Sequence, residues 1–268
     1  LDWATVGWRA AAAGLSDMAA MAARPMGLLL SAALPPELDH ALLEDVGRGV
    51  GACLRDHGGV LMGGDLSRSP GPVVLDVVSV GSAARPVGRG GARPGDEVWV
   101  TGELGGAAAA AADWQKGLEP DPRARRAFER PRPRTSEARW LAREAGLTAL
   151  VDLSDGLAGD AAHLAAASGV RLNLELPRVP LADVLEEYVD RAAALRKGLG
   201  GGEDYELLLA AELGSVGEAA GRCERTFGVA LTRVGEVVEG DGVGWRDADG
   251  REVELGTGGW DHFAGEGG

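Results

Sequence analysis

The chain has 268 residues, enough for two ordinary domains with real cores. With 45% hydrophobic and 25% charged residues it has the composition of a folded globular protein, and no apolar run reaches the length of a membrane span. Its 27 basic residues against 41 acidic ones give a formal charge of -14, a field that repels nucleic acid and anionic membranes and argues against both as partners.

Taken in chain order, the hydrophobic periods predict a mixed protein. Residues 4–23, rich in Ala, Leu and Met, predict a helix interrupted near Gly14. Residues 27–34 predict a buried strand ended by Pro35-Pro36. Residues 37–57 carry Leu42, Val46, Val50 and Leu54 at helical spacing and stop at Gly58-Gly59. The β-branched runs 60–62 and 73–80 predict strands, separated by a turn-rich stretch with Gly63, Gly64 and Pro70. The Gly-, Arg- and Pro-rich stretch 88–96 sets the expected domain boundary at Asp96, dividing the chain into 1–96 and 97–268.

Beyond it, 97–101 predicts a strand and an Ala-rich helix follows through Trp114. The charged, Pro-containing stretch 119–135 is expected to be an exposed connection. Strands are expected at 149–153 and 170–176, helices at 155–168 and 215–227, and short strands and turns from Gly228 onward. No solenoid period is present. Cys53 and Cys223 form no CxxC pair and are expected to be reduced thiols of a cytoplasmic protein. His40, His57, His163 and His262 lack the spacing of a zinc site.

Four acidic turns carry the chemistry. Leu15-Ser16-Asp17 and Leu153-Ser154-Asp155 repeat one tripeptide ahead of Ala-rich segments. Helix capping alone could account for either copy, because Ser and Asp oxygens satisfy open backbone N–H groups. The second copy has more than a cap requires, since Asp152 and Asp155 lie on one strand-to-helix turn. Gly63-Gly64-Asp65 and Gly200-Gly201-Gly202-Glu203-Asp204 likewise place a carboxylate beside glycines that let backbone approach a ligand. Carboxylates that converge repel one another unless a divalent cation intervenes. Magnesium suits them, because it binds through a few carboxylates plus substrate phosphates. No EF-hand spacing, Walker A loop or Rossmann glycine fingerprint accompanies these turns.

At these residues the sequence resembles the thiamine-monophosphate kinases of the aminoimidazole ribonucleotide synthetase-like superfamily. The stretches that carry the resemblance are GWRAAAAGLSDMAAMAARP, GGDLSRSPGP, GRGGARPGDEVWVTGELGGAAA, VDLSDGLAGDAAHLAAASGV, GGGEDYELLL and GGWDHF, in the family's order along nearly the whole chain. The resemblance implies an α/β (α+β) fold of two domains with the site between them. It also implies transfer of the γ-phosphoryl group of ATP to thiamine monophosphate, with magnesium, in a homodimer. Carried over, Asp17, Asp65, Asp152 and Asp155 match magnesium ligands, and Gly64, Asp65, Arg89 and Ser154 match ATP contacts. Glu203 and Trp260 match contacts to the thiamine substrate. No catalytic residue beyond the metal and ATP ligands is implied, since the acceptor phosphate oxygen is already anionic near neutral pH.

The chain departs from the family in two places. Upstream of Gly7 the family's Gly-Asp-Asp segment, Thr-Asp strand and substrate-contacting His have no counterpart, so an incomplete N-terminal domain and low or no kinase activity are expected. Gly14 stands where relatives usually have Asn, and is expected to loosen its helix turn. The alternatives are a non-catalytic or degenerate nucleotide-binding homologue and another enzyme of the same superfamily.

Overall fold

In the computed structural model, which describes residues 1–39, 41–188 and 190–255, helix α1 (Trp3–Ala20) starts where the Asp2 carboxylate accepts the Thr5 N–H at 2.7 Å. Such a cap satisfies a donor that the first turn leaves open. Contrary to the expectation from Gly14, α1 is unbroken through that residue. The reason is tertiary. A Cβ at Gly14 would lie 2.5 Å from Ser79 Oγ, and the Ser79 hydroxyl donates to the Gly14 carbonyl at 2.6 Å. The glycine is where the helix touches the sheet, and packing offsets its poor propensity.

Strand β1 (Arg24–Leu34), helix α2 (Leu42–His57), strand β2 (Val60–Arg68) and strand β3 (Val74–Ser82) follow. Leu42, Val46, Val50 and Leu54 are all buried, as their spacing predicts. β1 pairs in parallel with β2 across the α2 connection and antiparallel with β3, giving the order β2-β1-β3. Trp8, Leu15, Leu28, Val46, Val50 and Leu54 belong to the core that these helices and strands share. The expected turn at Gly63-Gly64 is instead a bulge inside β2: pairing steps from Leu28↔Leu61 to Leu29↔Gly63, so Met62 is the extra residue.

The remaining elements are β4 (Glu97–Thr101), α3 (Gly106–Gln115), α4 (Pro122–Glu129), α5 (Thr135–Glu144), β5 (Leu147–Leu153), α6 (Leu157–Ser168), β6 (Arg171–Glu175), a 3-10 turn at Leu176–Arg178, α7 (Asp183–Tyr188), α8 (Arg191–Gly200), β7 (Glu206–Ala211), α9 (Gly217–Phe227), β8 (Leu231–Val238), β9 (Gly242–Arg246) and β10 (Glu252–Val253). Seven of the strands form one sheet in the order β10-β9-β6-β8-β4-β7-β5. Its pairings are antiparallel except β6 with β9. β7, flanked by β4 and β5, is buried at every position, which explains its unbroken apolar run Leu207–Ala211 better than an alternating pattern would.

Contacts divide the chain into two units, one of Leu1–Pro86 with Glu129–Arg139, the other of Val87–Phe128 with the chain from Trp140 onward. The returning segment shows why 119–135 is not simply an exposed connection. The stretch 119–135 contains α4, and its Pro131, Pro133, Arg134 and Thr135 are buried. Trp8 Nε1 donates to the Pro131 carbonyl at 3.0 Å, Thr135 Oγ1 donates to the His57 carbonyl at 3.0 Å, and the Arg130 guanidinium lies 4.8 Å from the Trp8 ring centre. Among the described residues no helix is long and apolar enough to cross a membrane.

Candidate active site

In the second unit β5 carries the run Leu147–Leu153 through the core and ends at a turn, Ser154-Asp155-Gly156, that leads into α6. The cap reading of this copy fails: the N-cap residue is Gly156, and no side chain caps the helix. The backbone of the turn is held from within α6 instead. Asp160 Oδ2 accepts the Ser154 N–H at 3.0 Å and the Asp155 N–H at 3.1 Å, and Asp160 is almost wholly buried. Asp152 is buried one residue before the end of β5, in register with Leu207.

The glycine-rich loop before β7 lies along this turn. The Glu203 N–H donates to the Ser154 carbonyl and the Tyr205 N–H to the Leu153 carbonyl, each at 2.9 Å. The approach is so close that a Cβ at Gly202 would stand 2.2 Å from the Ser154 carbonyl oxygen, which is the physical need for glycine there. Glu203 and Tyr205 take left-handed backbone angles, φ 74° and φ 52°. Tyr205 Oη donates to Glu203 Oε2 at 2.9 Å. Asp204 serves a different end: its carboxylate accepts the Gly105 N–H at 2.9 Å and 3.0 Å, and the Ala107 N–H as well, at the start of α3. Nearby, Thr101 Oγ1 donates to Glu206 Oε2 at 2.6 Å and accepts the Leu207 N–H at 2.8 Å.

Charge of one sign accumulates here. Burial pushes the Asp160 carboxyl up to about 7, helped by the charges of Asp155 and Asp152 and opposed by the two N–H groups it accepts. Burial likewise raises Asp204 well above the usual carboxylate range, with Glu206 and Glu203 adding repulsion against the Gly105 and Ala107 N–H groups. Glu103 is raised by burial and by Asp183 and Glu206. Neighbouring carboxylates that repel one another suit a small divalent cation. Among the described residues no group of three or more His, Cys, Asp or Glu side chains is placed to hold a metal ion.

The structure thus brings together Asp152, Ser154, Asp155 and Glu203. Arg89 belongs to the same unit. Its side chain is exposed, and its carbonyl accepts the Ser168 hydroxyl at 2.8 Å. Asp17, Gly64 and Asp65 belong to the first unit. Asp17 is exposed on α1, within the helix rather than at its start, so capping does not explain that copy either. Asp65 is exposed on β2 opposite Ser31, and Gly64 lies so close to β1 that a Cβ would stand 1.7 Å from the Leu30 carbonyl oxygen. Trp260 and His262 lie outside the described residues. Sequence reasoning missed Asp160, Tyr205, Thr101 and Glu206, and passed over Asp204. Only Asp160 had a local signal, as an acid in the first turn of a helix next to an acidic turn.

Comparison with known proteins now bears on this geometry. Residues 1–83 match the family AIR synthase related protein, N-terminal domain, and residues 93–247 match AIR synthase related protein, C-terminal domain. The thiamine-monophosphate kinase of Salmonella typhimurium is 36% identical over 273 residues, spanning 98% of this chain and 82% of that protein. The chain belongs to the thiamine-monophosphate kinase family. Among solved structures, the thiamine-monophosphate kinase of Stenotrophomonas maltophilia is similar with a TM-score of 0.85 at 34% identity, covering 94% of this chain and 81% of that one. AaThiL, solved complexed with AMPPCP and TMP, is similar with a TM-score of 0.83 at 31% identity, covering 98% and 82%. The acidic turn and the glycine-rich loop described above both fall within residues 93–247, the stretch that matches the AIR synthase related protein, C-terminal domain.

Proposed function

We propose that this chain transfers the γ-phosphoryl group of ATP to the phosphate of thiamine monophosphate, forming thiamine diphosphate, with magnesium. The observation that carries this reading is the hydrogen-bonded apposition of the Asp152–Gly156 turn and the Gly202–Tyr205 loop. It sets two carboxylates suited to a metal beside a third, on Glu203, suited to the acceptor. Magnesium, when bound, neutralises phosphate charge and favours in-line transfer. Asp152 and Asp155 of the second unit are magnesium ligands, as are Asp17 and Asp65 of the first. Gly64, Asp65, Arg89 and Ser154 contact ATP. The backbone N–H of Ser154 is committed to Asp160, so its hydroxyl is the group that meets phosphate. The exposed Arg89 guanidinium can grip phosphate oxygens with two parallel bonds. Glu203 and Trp260 bind the thiamine part.

In this reading residues 1–96 form the ATP- and magnesium-binding domain, and 97–268 the C-terminal α+β domain. The active form is a homodimer. Leu29, Met62, Leu66, Val74 and Val78, exposed on β1, β2 and β3, support that assignment, since apolar strands left in water invite pairing with a second copy. The buried thiols of Cys53 and Cys223 agree with a cytoplasmic setting. A coupled assay for thiamine diphosphate tests the proposal. Magnesium-dependent product formation, even at the low level expected from the departures upstream of Gly7, is the result that supports it. Binding of ATP and magnesium without turnover would overturn it and leave the non-catalytic reading.

A further inference from the structure

We infer that Tyr205 is a positioning residue whose phenol aims the Glu203 carboxylate at the acceptor substrate. The inference rests on the reading of Glu203 as an acceptor contact and adds what directs it. The loop has three consecutive glycines, Gly200, Gly201 and Gly202, on which a left-handed conformation would cost nothing. The left-handed angles fall instead on Glu203 and Tyr205, residues that seldom adopt them. Strain of this kind persists only where surrounding contacts over-determine it, and it gathers at ligand-binding positions.

The contacts are all present. The N–H groups of Glu203 and Tyr205 are tied to Ser154 and Leu153, and the Asp204 carboxylate between them is anchored on the Gly105 N–H. With the backbone so fixed, the Tyr205 ring is buried at 8% exposure and its hydroxyl meets Glu203 Oε2 at 2.9 Å. A carboxylate held at one oxygen by a buried donor loses rotamer freedom before any ligand arrives, which lowers the ordering cost of binding. A preset carboxylate suits an acceptor that presents an N–H donor or a positive charge, as the aminopyrimidine and thiazolium of thiamine do.

The test uses the full chain, with calorimetry of thiamine monophosphate in the presence of magnesium and a non-hydrolysable ATP analogue. Tyr205→Phe keeps the buried ring and removes only the hydroxyl. It should raise the acceptor Kd by up to about tenfold, the ordering cost of one side chain, while leaving the Kd of the ATP analogue unchanged. A merely structural role would move both affinities together instead of the acceptor alone. Glu203→Gln should also weaken the acceptor, and adding Tyr205→Phe to it should weaken binding no further, because both act through one bond. If Glu203→Gln weakens the acceptor and Tyr205→Phe does not, or if Tyr205→Phe weakens both ligands alike, the inference is overturned. If Glu203→Gln has no effect, or the unsubstituted chain binds no acceptor, the acceptor reading of Glu203 falls and the inference with it.

Discussion

The tripeptide Leu-Ser-Asp occurs twice, and the two copies have little in common beyond their letters. Leu15-Ser16-Asp17 lies inside α1, with Leu15 and Ser16 fully buried and Asp17 exposed. A helix turns about 100° per residue, so neighbouring residues leave it in different directions, and one side chain alone reaches out. Leu153-Ser154-Asp155 lies where β5 ends, with Leu153 buried in the core and Ser154 and Asp155 on a turn. There the backbone is part of the device: its N–H groups go to Asp160 and its carbonyls take the N–H groups of Glu203 and Tyr205. The same letters therefore supply one side chain in the first copy and a whole loop junction in the second.

The largest effect is expected at the second copy. Asp155→Asn should reduce thiamine diphosphate formation by about 100-fold or more, the effect of removing a charge from a phosphoryl-transfer site, with the thermal midpoint maintained. Turnover within a few-fold of the unsubstituted chain would remove Asp155 from the site. Next in size is the support beneath the turn. Asp160→Ala should weaken magnesium–ATP binding by about tenfold, the loss of two hydrogen bonds, whereas Asp160→Asn retains an acceptor oxygen and should keep most of the affinity. Calorimetry on the pair separates backbone support from charge. Equal loss in both would make the charge, not the support, the operative property.

Two glycines sharpen the contrast in stability. Gly156 takes φ 96° with the Leu199 carbonyl oxygen 2.8 Å from where a Cβ would stand. Gly156→Ala should cost about 2–4 kcal/mol, from backbone strain and overpacking together. Gly14→Ala meets the Ser79 and Val77 side chains instead, partly offset by better helix propensity. It should cost about 1–2 kcal/mol in urea unfolding. A stabilising Gly14→Ala would show that α1 has room to move off β3.

The smallest effect is pH-dependent and belongs to the first unit. Burial lowers the His57 pKa, with Arg132 and Arg134 acting in the same sense against Asp56. The folded chain then binds fewer protons at this site than the unfolded one, whose His titrates at its ordinary value near 6.5. His57 is therefore neutral about its fold above 6.5, and its contribution is lost as pH falls from there toward the depressed folded value. Thermal midpoints of the unsubstituted chain and His57→Gln should converge in slope above that window, with the variant less sensitive within it. Parallel curves throughout would exclude His57 as the source.

Much of the fold could be read locally. Leu42, Val46, Val50 and Leu54 announced α2, Glu97–Thr101 announced β4, and Val151-Asp152-Leu153 announced the end of β5, because each pattern reports one buried face. The errors have one cause. Gly14 looked like a break, Gly63-Gly64 like a turn, and the Pro-containing stretch near Pro131 like an exposed connection. In each case a distant partner was decisive: Ser79, Leu29 and Trp8 respectively.

Spacing and residue type along the chain were enough for the mixed α and β character and the acidic turns. The resemblance added the candidate magnesium ligands Asp17, Asp65, Asp152 and Asp155, the candidate substrate contact Glu203, and the chemistry. Tertiary structure alone decided the order of the seven-stranded sheet, the crossing of the Ser154 turn by the Glu203 loop, and the anchoring of the Asp204 carboxylate at the start of α3. Those depend on hydrogen bonds between segments far apart in the chain, such as Gly105 with Asp204. Strand order and such cross-links are set by which burial arrangement satisfies every buried polar group at once, a condition that no local pattern encodes.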